Sequence, residues 1–167
     1  MGLYEKSLAI ARVAGDRLGI VVAFGMGTFA FLGKGDHRRT RNLFREGLEL
    51  SLSLGTRHGL VFHLHAAAAL TSAQGQPVRS ARLWGAGEAL MDDIGTGLAP
   101  VERYHYGPYV DAARALLDEG AWEAACEEGM AMSAEGAAEY AHCEEIAPDR
   151  PEDPPAERRA DDPLPTP

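Results

Sequence analysis

Seventeen residues, Leu43 to Gly59 (LFREGLELSLSLGTRHG), recur at a spacing of forty on either side of themselves. Forty positions earlier lies Leu3 to Gly19 (LYEKSLAIARVAGDRLG). Leu3 falls on Leu43, Tyr4 on Phe44, Leu8 on Leu48, Ile10 on Leu50, Gly15 on Gly55 and Arg17 on Arg57. Forty positions later, Leu83, Trp84, Gly87, Leu90, Ile94, Gly95 and Thr96 fall on Leu43, Phe44, Gly47, Leu50, Leu54, Gly55 and Thr56. Gly35 and Gly75 keep the same period. Self-similarity of this length marks an array of helix pairs, because one such unit cannot bury its apolar side alone and must stack on a neighbour.

The spacing of apolar residues predicts helices over 3–14, 17–33, 36–54, 57–74 and 77–94, punctuated by glycines. Asp36 suits the start of the third and Pro77 the first turn of the fifth. A different pattern follows. Pro100 opens a helix reaching about 119, which Gly107-Pro108 is expected to kink or split. Shorter helices run from Ala121 to about Met130 and from Ser133 to about Ile146. The fold expected is all-α: a right-handed superhelix of antiparallel helix pairs over 1–98, capping helices over 99–146, and a tail over 147–167. The tail holds seven of the ten prolines and almost no large apolar side chain, so it is expected to be disordered. The first helix has no partner ahead of it. Leu3, Leu8 and Ile10 are therefore expected to be partly uncovered, and the chain to be a piece of a longer protein or an oligomer.

Residues 17–33 invite other readings. Ile20–Phe24 could be a strand, and Gly25-x-Gly27-x-x-Ala30 then resembles a dinucleotide-binding turn. Its helix would stop at Gly33, too soon for a crossover connection. Gly33-Lys34-Gly35 lacks both the spacing and the hydroxyl residue of a P-loop. Alignment at forty with Leu60–Ser72 and its alanine run favours helix. His63 and His65 point about 160° apart on a helix; His58 and His65 share a face, but no Cys, Asp or Glu joins them. No metal site, cofactor or catalytic constellation is expected.

Charge is divided unevenly. Residues 1–100 hold eleven Lys/Arg against eight Asp/Glu, and the remainder five against seventeen. A chain this acidic overall does not attract nucleic acid or anionic membrane. Within the basic half, Arg38, Arg41 and Arg45 fall on one side of the third helix, an expected exposed stripe and the basis of an alternative reading as a nucleic-acid-associated regulator. Cys126 and Cys143 have no metal-binding spacing and fit a reducing, cytoplasmic compartment. No apolar run is long enough to span a membrane.

Thr28, Thr40 and Gly47 with Phe24, Phe31 and Phe44, and Ala68, Ser80 and Gly87 with Leu64 and Trp84, resemble the small-and-bulky alternation of tetratricopeptide repeats. Residues 76–141, including QPVRSARLWGAGEALMDDIG and GAWEAACEEGMAMSAEGAAEYA, resemble the C-terminal end of large ATPase-containing bacterial transcriptional regulators of the LuxR and SARP types. That resemblance implies a non-catalytic helical arm that docks a protein or peptide partner, such as the ATPase domain of the same regulator. On an array of this kind, the helices 17–33 and 57–74 would line the concave side. Phe24, Phe31, His58, Phe62 and His65 are then the expected partner contacts, together with Arg38, Arg41 and Arg45.

Overall fold

The computed structural model describes residues 2–95, 97 and 99–143, and the described chain is all-helical. Its helices are α1 (Leu3–Ala14), α2 (Arg17–Leu32), α3 (His37–Leu54), α4 (Arg57–Ala73), α5 (Pro77–Ile94), α6 (Pro100–Arg114), α7 (Glu119–Met130) and α8 (Ala134–His142). The acidic Pro-rich tail expected over 147–167, and the last residues of the helix expected to reach Ile146, lie outside the described residues.

One local device, repeated every twenty residues, sets the first five helices. Gly15, Gly35, Gly55, Gly75 and Gly95 each adopt a left-handed backbone, with φ of 66°, 73°, 66°, 73° and 71°. A side chain at such a φ is strained, so glycine ends the helix. The wrapping bonds repeat with the sequence: Asp16 N–H donates to the Ala11 carbonyl at 2.9 Å, and Thr56 N–H to the Ser51 carbonyl at 3.0 Å. After Gly15, Gly35, Gly55 and Gly75 the next residue opens the following helix. Asp16 accepts from Gly19 N–H at 2.8 Å, Asp36 from Arg39 N–H at 3.0 Å and Thr56 from Gly59 N–H at 3.4 Å.

Each of α1 to α5 packs on the next. Beyond α5 the order changes: α7 lies on α5, α6 folds back on α4 and α5, and α8 rests against α3, α4 and α5. The helix with the most neighbours, α4, is apolar all round, as a helix enclosed on every side must be. Leu60, Leu64, Leu70 and the run Ala66–Ala69 are buried in the main core with Leu48, Leu83 and Tyr106. The alanines let α5, α6 and α8 come close. His63 and His65 point to opposite sides of α4 and both are wholly buried. A Cβ on Gly47 of α3 would strike the His63 ring, and one on Gly87 of α5 the His65 ring, so two glycines forty residues apart each make room for an imidazole.

Ile20–Phe24 lies inside α2, as the alignment at forty favoured, and the competing strand with its dinucleotide turn is absent there. One expectation is corrected. Gly107-Pro108 does not split α6, which runs unbroken from Pro100 and ends at Arg114 rather than near 119. Pro108 is on the exposed side of the helix, while Tyr106, Val110 and Ala113 anchor the opposite side in the core. Tyr106 is fully buried, with its hydroxyl 2.9 Å from Thr28 Oγ1.

Candidate functional site

The repeat supplies an internal standard for burial. Leu3, Leu43 and Leu83 occupy one register in α1, α3 and α5, yet their exposures are 87%, 7% and 0%. Leu43 is covered because α2 precedes α3, bringing Phe24 and Phe31 into the same cluster. Gly27 of α2 passes so close that an added Cβ would meet Leu43 and Tyr4. Leu83 is covered in the same way by α4. Nothing described lies on the corresponding side of α1. Ile10 and Val13 are exposed there too, and Leu18, Val22 and Met26 form an i, i+4, i+8 stripe on α2. Large apolar side chains are worth about 1.5–3 kcal/mol each when taken fully out of water, so this concentration on two adjacent helices is the most conspicuous unmet burial in the described chain.

Leu3 and Ile10 are thus uncovered as expected, but Leu8 is not. It is buried against α2, in the cluster of Ala23, Phe24, Phe31 and Leu43. Val13, Leu18, Val22 and Met26 escape sequence reasoning. Helix α2 is apolar on every side, so no period separates its inner face from its outer one.

The residues expected to contact a partner are placed very unequally. Phe24 and Phe31 are core residues of the α1–α2–α3 cluster and are not available as surface contacts. His65 is enclosed between α4 and α5, its ring stacked on Trp84 at 4.1 Å. Phe62 is half-buried: Phe29 of α2 and Tyr106 of α6 lie at ring distances of 5.1 and 6.3 Å, and Gly25 leaves room for its edge. His58, at the start of α4, is exposed. Residues of α2 and α4 are therefore brought together, as expected, but mostly by packing on each other.

The arginine stripe is corrected in part. Arg38 is exposed, whereas Arg41 and Arg45 are half-buried. Arg45 donates to the His142 carbonyl at 2.7 Å. Arg79 of α5 joins it, donating to the Tyr140 carbonyl at 2.9 Å and to the Cys143 carbonyl, with its guanidinium 5.2 Å from the Tyr140 ring centroid, as Arg39 sits 5.1 Å from that of Phe31. The last carbonyls of α8 have no partners within their own helix and carry its negative pole, which is where guanidinium groups bind best. Part of the stripe therefore holds the C-terminal helix in place. The sequence could not reveal this, because α8 is almost a hundred residues away from Arg45.

Among the described residues no three His, Cys, Asp or Glu side chains converge as metal ligands, and no helix is long and apolar enough to cross a membrane. No family model, curated protein or solved structure matches this chain.

Proposed function

We propose that this chain is a non-catalytic interaction module: a right-handed superhelix of antiparallel, tetratricopeptide-like helix pairs, closed by its C-terminal helices, that receives a further apolar helix on the outer face of α1. The observation that carries the reading is the burial of one register, complete in α3 and α5 and missing in α1. The occupant is specified by what covers the other two copies. It is a helix of the α2 and α4 type, apolar all round, with a small residue where Gly27 meets Leu43. It comes from a protein or peptide partner. The resemblance of residues 76–141 to the ends of bacterial regulators supports a place in a signal-responsive, cytoplasmic transcriptional regulator, with its ATPase domain as that partner. Cys126 and Cys143, both free thiols, suit such a compartment.

The test supplies the helix in register. Joining a second copy of the Thr56–Arg82 sequence directly to Leu3 places a duplicate of α4 over α1. The expected result is a rise of at least about 5 °C in melting temperature. Leu3→Glu with Ile10→Glu should cancel that rise while leaving the original chain's melting temperature within about 2 °C, because both positions are exposed there. A fusion that melts no higher than the original overturns the reading.

A further inference from the structure

We infer that the face on α1 selects a helix unlike the chain's own, apolar in its first turn, where α2 and α4 carry arginine, and small at the register of His65. The inference rests on the docking of a helix over α1 and names the chemistry of that partner. It also makes α2 or α4 of a second copy a poor occupant.

The two covered repeats show how a covering helix is pinned to the helix that follows it. Arg17, the first residue of α2, donates to Ser53 Oγ near the end of α3 at 2.9 Å. Arg57, the first residue of α4, donates to Asp93 Oδ2 near the end of α5 at 2.9 Å. The two acceptors are forty residues apart, and forty residues before Ser53 stands Val13. Its side chain is 92% exposed and can accept nothing. A helix laid over α1 with arginine at its start would bring a guanidinium against an aliphatic side chain and gain no bond for it. An apolar residue there takes Val13 out of water instead.

The second register lies in mid-helix. A Cβ on Gly87 of α5 would lie 2.4 Å from Nε2 of His65, which belongs to the helix before it. The counterpart of Gly87 in α1 is Ser7, and the counterpart of His65 in α2 is Gly25. Ser7 carries the Cβ that Gly87 lacks, so an imidazole in this register has no room. Helix α2 sets the same limit from its own side. A Cβ on Gly25 would strike the Phe62 ring of α4, and the counterpart of Phe62 in α2 is the exposed Val22. The partner's residue here lies between Ser7 and Val22 and is glycine or alanine. Around it, the buried pairs Val21 and Val61, Phe24 and Leu64, and Gly27 and Ala67 fix the remaining registers. The partner helix therefore reads, from its start, an apolar residue, valine four places on, phenylalanine or leucine after three more, then glycine or alanine at the next place and again two places later.

The experiment uses the fusion that carries a copy of Thr56–Arg82 ahead of Leu3. Arg57 of the copy falls opposite Val13, and His65 of the copy opposite Ser7. Arg57→Leu in the copy should raise the melting temperature by about 2–4 °C. Val13→Asp should raise that of the unmodified fusion by about 1–3 °C, by restoring the ion pair, and lower that of the Arg57→Leu fusion by about 2–4 °C. Ser7→Gly should raise the unmodified fusion by about 2–4 °C, and lower a fusion with His65→Ala in the copy by about 2 °C, where only glycine's poorer helix propensity is left. Val13 and Ser7 are exposed in the original chain, so the fold is not at stake in these variants. The readout is the change of sign within each pair, which a merely local effect on α1 would not produce. A fusion that is stabilised but responds alike to Val13→Asp with either copy, and alike to Ser7→Gly with either copy, overturns this partner assignment and leaves the docking face standing. Fusions that all melt no higher than the original chain overturn the docking face and the assignment with it.

Discussion

At the scale of single residues, the most unusual groups are the two histidines of α4. Burial drives their pKa values down from the ordinary 6.5, to about 4 for His63 and about 3 for His65. A charge in the core would be costly, so the fold holds both rings neutral. The carboxylate nearest His65 is Glu88, with Oε1 3.7 Å from Nε2, and burial raises that group's own pKa. The folded pKa values are depressed, so unfolded chains bind protons first as pH falls. The stability these rings allow is complete above pH 6.5 and is lost progressively as pH drops from there towards about 4 and then about 3. At pH 5 each histidine should have cost roughly 2 kcal/mol relative to pH 7. Urea unfolding of the wild type and of His63→Leu at both pH values checks this. The variant should lose about 2 kcal/mol less than the wild type between pH 7 and pH 5. Equal losses would mean that His63 titrates normally.

At the scale of elements, the tightest junction joins α5 to α7. A Cβ on Gly85 would strike the Cys126 backbone, and one on Gly129 would strike the Arg82 backbone. The contacts are reciprocal, and both obstacles are main chain, which cannot rotate aside. Gly85→Ala or Gly129→Ala should destabilise the fold by about 3 kcal/mol, despite alanine's better helix propensity. Gly120→Ala is the control: it also lies in α7, but its Cβ would come no nearer than 3.5 Å to Asp118, so a gain of up to about 1 kcal/mol is expected. Chemical denaturation of the three variants separates the outcomes, and a Gly129→Ala protein as stable as the control would contradict the packing. The sequence made α1 to α5 legible because their stop and start signals are local and repeated. Gly15, Gly55 and Gly95 announce one turn, Gly35 and Gly75 the other. It misjudged α6 because Gly107-Pro108 is a local signal for breakage, whereas Tyr106 and Val110 are held by residues far away in the chain. For the same reason Arg45 was legible as a cation on a helix face but not as a ligand of α8. The candidate docking face was half legible: Leu3 and Ile10 follow from the repeat, while Val22 and Met26 required knowing which side of an all-apolar helix stays uncovered.

At the scale of the whole molecule, burial falls from the centre towards α1. Helix α4 is enclosed by α2, α3, α5, α6 and α8, whereas α1 packs chiefly on α2. In α1 only Leu8 and Ala11 are buried. Local opening costs least where few apolar contacts must be broken, so protection of backbone amides should follow this gradient. Native-state hydrogen exchange measured on dilute protein should find the amides of α4 slowest and those of α1 fastest, with α2 in between. Raising the protein concentration about a hundredfold then asks what covers the exposed leucines. Unchanged exchange in α1 fits a face kept for a different chain. Concentration-dependent slowing confined to α1 and α2 would show that a second copy occupies that face and would replace the heterologous helix as its partner. Amides of α1 as slow as those of α4 at every concentration would rule out an uncovered end altogether.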